Sequence, residues 1–250
     1  MSTNSKELAA LRIETPPATL REIALSRMRR AIISGLFEPG ARLVERTLCE
    51  QLGVSRSIIR EVIRHLEAEG LIEMFPNHGP IVTRINWNDA RQIYEIRSTL
   101  ESKAVADCAR LADDAVKAGL AAALEHLDDA SKANSPLAVI DATTAFYKII
   151  FDSGNNSVAW EIASRLNSRI SRLRAMTLSS SGRMASGPVQ IRAIFEAIRH
   201  NDPDAAAAAC RAHVAKAAEI AQKLLAEKTG DADGSAAPLE DTAATTSQAS

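Results

Sequence analysis

The sequence predicts a mainly α protein, with three short helices and a strand hairpin followed by an all-α bundle of about six helices. Three observations predict it. From Leu20 to Arg84 the apolar periodicity comes in short stretches broken by Gly and Pro. Beyond Ile85 strand-like segments disappear and long helical stretches take over. The length, 250 residues, allows two domains that each bury a core of their own.

Residues 1–18 are polar, end in Thr15-Pro16-Pro17, and are expected to be disordered. The first helix falls around Ile23–Ile33 and stops at Gly35 and Pro39-Gly40. The second spans Glu45–Leu52; Gly53 makes a tight turn into the third, Arg56–Ala68. After Gly70, segments 71–75 and 80–84 flank Pro76-Asn77-His78-Gly79 and read as two brief strands joined by a turn. That is the outline of a winged helix-turn-helix over residues 19–85. Asn86 with Asp89 marks a helix start, which places the domain boundary near residue 85. Helices are then expected at about 89–111, 113–131, 137–152, 156–178, 188–200 and 202–226, making an all-α domain of 86–227. Residues 228–250, rich in Ala, Ser, Thr, Asp and Gly, are expected to be a disordered tail.

Lys and Arg (30) nearly balance Asp and Glu (31), which excludes a generic polycation, so nucleic-acid binding would have to rest on local charge. Between Leu20 and Arg84 ten Arg face eight Glu, with no Lys or Asp. Cys49, Cys108 and Cys210 are odd in number and far apart, without any CxxC spacing, which argues against a disulfide framework or zinc–thiolate site. No signal segment or long apolar run is evident, so a cytoplasmic protein without a membrane partner is expected.

The most specific signal lies in Leu52–Leu66. Ile59, Val62, Ile63 and Leu66 share one helical face, while Arg56, Arg60 and Arg64 climb the other. Arg near a helix N-terminus suits reading of guanine in the major groove, and Ser55 or Ser57 can cap the helix. The bland alternative is a solvated Arg row paired with Glu61 and Glu67. The helix-turn-helix outline and the wing favour DNA.

At these residues the chain resembles the GntR family of bacterial regulators. The matching pieces are Phe37-Glu38-Pro39-Gly40, Leu43-Val44-Glu45-Arg46, Leu52 to Arg56, Ile59 to Ile63 and Leu66 to Ile72, followed by Asn77-His78-Gly79. Val44 stands where many members have Pro. The resemblance implies operator contacts by Arg46, Arg56 and Arg60, with Ser55 and Ser57 on the DNA backbone and His78-Gly79 in the minor groove. The later region resembles the helical FCD domain of the FadR-like subgroup through Ile93 to Arg97, Leu100-Glu101, Phe146-Tyr147, Gly154-Asn155, Ile194 to Ile198 and Ala209 to His213.

Many members of that subgroup bind a divalent metal with an Asp and three His. At the matching positions this chain has Thr143, Tyr147, Ile191 and His213, a donor set too poor for a metal site, so no metal or cofactor is expected. Asp141 lies on the wrong spoke of its helix to substitute. A direct polar pocket is expected instead: Arg97 to meet a carboxylate, Thr143, Tyr147 and His213 to hydrogen-bond, Ile191 as an apolar wall, and Asn167 on a helix lining the same space. The alternative is an Arg97–Glu101 ion pair with a buried, satisfied His213.

The expected function is a ligand-responsive, homodimeric repressor that leaves double-stranded operator DNA when a small metabolite binds. One rival is a ligandless architectural or partner-binding protein with a decayed pocket. An enzyme using His213 with Glu101 or Asp141 is not expected, because no nucleophile–base–orienter set or phosphate loop accompanies them.

Overall fold

A computed structural model describes residues 18–180 and 182–233. Helix α1 (Leu20–Ser34) opens on a capping box: Thr19 accepts from the Glu22 N–H and the Glu22 carboxylate accepts from the Thr19 N–H at 2.8 Å. It ends at Gly35, whose φ of 90° closes the turn. Helices α2 (Glu45–Leu52) and α3 (Arg56–Ala68) are joined through Gly53 at φ 67°. The alternation expected for α3 holds, with Ile59, Val62, Ile63 and Leu66 buried.

Strands β1 (Ile72–Phe75) and β2 (Gly79–Val82) form an antiparallel hairpin in which Ile72 faces Val82 and Phe75 faces Gly79. An isolated bridge from Arg42 to Ile81 ties the loop before α2 to its outer side. Ile72 and Val82 join Leu25, Met28, Ile32, Leu43, Leu48 and the buried face of α3 in one core.

The remaining helices are α4 (Trp87–Leu111), α5 (Asp114–Lys132), α6 (Pro136–Ser153), α7 (Ser157–Arg169), α8 (Ser171–Ser179), α9 (Arg183–Arg199) and α10 (Pro203–Asp233). They share a second core in which Phe146, Ile150, Phe151, Leu120 and Ile194 are fully enclosed. A small third cluster, Ile33 with Ile140 and Ala175, lies between α1 and the bundle.

Three boundaries differ from expectation. The stretch 156–178 is two helices, because the chain turns at Ile170 (ψ 12°), itself fully buried, so seven helices rather than six follow the hairpin in the described residues. Helix α9 begins five residues before Pro188. Proline deprives the Met184 carbonyl of its helical donor, and the Ser131 hydroxyl supplies one instead at 2.8 Å. Finally, α10 is helical to Asp233, past the expected tail start at 228, since no proline intervenes to stop it. The segments 1–17 and 234–250, also expected to be disordered, lie outside the described residues.

Candidate functional site

Two regions carry chemistry. In the first, Ser55 caps α3, accepting from the Ile58 N–H at 3.4 Å, and its hydroxyl lies 2.8 Å from that of Ser57. Arg56 and Arg64 are exposed and without an ion pair among the described residues, whereas Arg60 meets Glu45 at 3.0 Å and Arg46 meets Glu50 at 2.9 Å. Glu61, weighed as a partner for the Arg row, instead lies 3.6 Å from Arg21 of α1. The N-terminal turn of α3 therefore presents hydroxyls and guanidinium groups to solvent. At the wing, Asn77 (φ 65°) and Gly79 (φ 75°) take left-handed conformations that fold the turn tightly. His78 is exposed there, with Nδ1 3.2 Å from the Pro76 carbonyl.

The second region is a cavity inside the bundle of about 50 Å³, lined by Tyr94, Arg97, Thr143, Arg174, Arg183, Ile191 and His213 among others. It shares Arg97, Thr143 and Arg174 with an adjoining cavity of about 180 Å³, lined also by Tyr147, Asn167, Asp141 and, from the winged-helix half, Arg29 and Leu71. Four of the six residues expected in one pocket thus line the smaller space, and Tyr147 and Asn167 line the larger.

Arg97 and Glu101 form a buried ion pair at 2.8 Å, and Asn167 Nδ2 reaches the same carboxylate at 3.5 Å. Glu101 neutralises one of three guanidinium groups. Arg183 is buried and donates to Gln190 Oε1 at 2.5 Å, and the Arg174 guanidinium makes no hydrogen bond among the described residues. Burial, with Arg97 close by, lowers the Arg174 pKa to about 10; burial likewise lowers that of Arg183. His213 Nδ1 lies 3.2 Å from Gln190 Oε1. Since that oxygen already accepts from Arg183, His213 donates at Nδ1 and Nε2 keeps its lone pair. Burial, then Arg183, Arg97 and Arg174, hold the His213 pKa well below its ordinary value, so the ring is neutral at pH 7.

Thr143 donates to the Val139 carbonyl at 2.7 Å, and the Tyr147 hydroxyl lies 3.7 Å from the Cys210 sulfur. Burial, then Glu101, pushes the Cys210 pKa up to about 12, leaving an inert thiol. These residues do not fit a divalent cation. Ile191 is apolar, only His213 offers an imidazole, and three arginines surround the space; among the described residues no three His, Cys, Asp or Glu side chains converge. Arg174 and Arg183 were not foreseen. The break at Ile170 resets the helical phase that would have placed Arg174, and Arg183 lies ahead of the expected start of its helix.

No helix among the described residues is long and apolar enough to cross a membrane. Residues 20–82 match the model of bacterial regulatory proteins of the gntR family, and residues 92–216 match that of the FCD domain. The HTH-type transcriptional regulator YdhC of Bacillus subtilis is 28% identical over 206 residues, 81% of this chain and 91% of that one. The galactonate operon transcriptional repressor of Escherichia coli is 29% identical over 198 residues, 71% of this chain and 86% of that one. The fold matches the solved structure of E. coli McbR/YncC with a TM-score of 0.68 at 21% identity, over 85% of this chain and all of that one. The chain therefore belongs to the GntR family, as a transcriptional regulator of the FadR-like kind that joins a winged helix-turn-helix to an FCD domain.

Proposed function

We propose that the protein is a homodimeric repressor released from operator DNA by a small hydroxy acid bound in the bundle cavity. The observation that carries the effector class is the charge of that cavity: three guanidinium groups face it and one carboxylate, Glu101, offsets them. An anionic ligand would complete the set, its carboxylate against Arg174 and Arg183. His213 Nε2, with a free lone pair, would accept from a ligand hydroxyl. The small volume favours a short acid over a nucleotide or acyl thioester. The E. coli relative named for a galactonate operon points to the same class of ligand, a hydroxy acid.

On the DNA side, Arg56, Arg60 and Arg46 would read bases, Ser55 and Ser57 would hold phosphate, and His78-Gly79 would enter the minor groove. One recognition helix covers a half-site, so two copies would bind a palindrome.

Helix α8 is the proposed transmitter. Arg174 lines the cavity, while Arg172, two residues earlier, donates to the Ile32 and Phe37 carbonyls at 3.3 and 3.4 Å and meets Glu38 at 2.7 Å. A ligand that draws Arg174 inward would tug on the end of α1 and so change the spacing of the recognition helices.

The test is a titration at fixed salt against labelled DNA from upstream of the protein's own gene, with Arg56→Ala and Arg60→Ala beside it, repeated with a panel of short hydroxy acids and sugar acids. Tight binding lost in both variants and reversed by one acid is expected. Binding that is weak, equal on all fragments and unmoved by every acid would sink the reading and leave the ligandless alternative.

A further inference from the structure

A larger cavity, of about 500 Å³, lies between the DNA-binding half and the bundle. That size is within the range of small-molecule sites, which favour domain interfaces. Leu71 and Val82 line it from the DNA-binding half, Trp87 from the start of α4, and Leu173 and Met176 from α8. Helix α8 is thus a wall common to two cavities: Arg174 and Thr177 line the bundle cavity, and Arg172, Leu173 and Met176 line this one.

Thr83 and Arg172 also belong to this lining, and each holds a buried polar atom without a hydrogen-bond partner among the described residues, Thr83 Oγ1 and Arg172 Nε. Buried polar groups are ordinarily paired, so two orphans in one mainly apolar cavity mark where a polar head would sit. The Arg172 Nη atoms are engaged by the Ile32 and Phe37 carbonyls and by Glu38, whereas Nε has no partner among the described residues. Arg84 and Arg169 add positive charge, and Arg169 is held only loosely by Asp89, at 3.5 Å.

We infer that this cavity is a second ligand site, for an amphipathic monoanion. Its apolar body lies against Leu71, Val82, Trp87, Leu173 and Met176, and its acid group accepts from Arg172 Nε and the Thr83 hydroxyl. Because Arg172 also ties the two halves together, an occupant here sets their relative arrangement without entering the bundle cavity. Two chemically different signals, a small hydroxy acid and a larger apolar acid, thereby act on one helix.

The probe is 1-anilinonaphthalene-8-sulfonate, a fused aromatic body with one sulfonate, titrated into the full-length protein by fluorescence. Saturable binding of one probe per chain is expected. Met176→Trp, which fills the cavity, weakens it by about tenfold or more, and the near-isosteric Thr83→Val weakens it several-fold. Arg174→Met, in the other cavity, leaves it within about twofold. Should Met176→Trp lose its cooperative melt, Thr83→Val decides alone. Unsaturable staining, indifference to both cavity variants, or loss of binding in Arg174→Met overturns the site. A bundle cavity that binds no hydroxy acid would leave the probe result untouched, so the two readings fail separately.

Discussion

Arg97 and Glu101, one turn apart on α4, are held 2.8 Å apart with their side chains 4% and 2% exposed. At that burial each charge depends on the other. Glu101→Gln would leave Arg97 charged and unpaired beside Arg174, at a cost of about 3–5 kcal/mol, a large share of ordinary domain stability. Urea unfolding should show the midpoint falling steeply. The double replacement Arg97→Met with Glu101→Leu should recover most of the loss, since an apolar pair of similar volume does not carry the desolvation cost. If the double variant is as unstable as the single, the pair matters for packing and not for charge.

Arg174 is the opposite case, a partly buried cation beside Arg97 whose guanidinium has no hydrogen-bond partner among the described residues. Arg174→Met should raise the stability of the ligand-free protein by about 1 kcal/mol, seen as a melting point ~2–4 °C higher. The same variant should lose its response to short hydroxy acids in the DNA-release assay. A lower melting point would show that an uncharged side chain cannot replace the packing of the arginine stem.

Arg60 is held by Glu45 at 3.0 Å, whereas Arg56 is exposed without an ion pair among the described residues. Arg56→Ala should weaken specific binding by about 5–150-fold and relax preference at its base step. Glu45→Gln should do the reverse. Without the acidic partner, Arg60 is free for phosphate and a negative charge leaves the interface, so non-specific binding should tighten several-fold in electrophoretic titrations. Weaker binding in Glu45→Gln would mean that Glu45 aims Arg60 at its base.

His213 gives a pH signature. Its folded pKa lies well below the ordinary 6.5, so well above pH 6.5 the ring is neutral in both states and contributes no pH slope. As pH falls below 6.5 the unfolded chain takes up a proton that the folded ring refuses, and stability is lost until the folded pKa is reached. Stability at pH 5.5 should therefore be lower than at pH 7.5. His213→Asn should remove this component from denaturation midpoints measured at the two pH values. An unchanged slope in the variant would assign the loss to other groups.

The helix-turn-helix was readable because its information is local. Ile59, Val62, Ile63 and Leu66 repeat at helical spacing, Gly53 and Gly70 mark the turns, and the Arg row follows from the same periodicity. The bundle cavity was only half readable because it is assembled from side chains far apart in sequence. Arg97, Thr143, Ile191 and His213 could be placed by resemblance, but Arg174 depended on a break at Ile170 that no Gly or Pro announces. Pro188 misled in the other direction. It reads as a helix start, yet a hydroxyl from Ser131 on α5 lets the helix begin earlier, and a tertiary partner of that kind is invisible to local pattern.

Arg172 offers the last test, of how the two halves communicate. It is contributed by α8, its side chain is 17% exposed, and its guanidinium engages two carbonyls and the Glu38 carboxylate from the DNA-binding half. Few other polar contacts cross this junction among the described residues; the Arg169–Asp89 pair lies wholly within the bundle helices, and Arg29–Glu69 wholly within the DNA-binding half. Arg172→Gln, too short to reach all three acceptors, should therefore weaken the junction while leaving both cores intact. Hydrogen bonds to a charged group contribute about 1.5–3 kcal/mol, so scanning calorimetry should resolve a separate, earlier transition for the DNA-binding half in place of a joint one. Operator affinity should change little, because the recognition helix is untouched, but acid-driven release should be blunted. A variant that still melts in one transition and still releases DNA on adding the acid would place the coupling in the apolar contact of Ile33 with Ile140 and Ala175 instead.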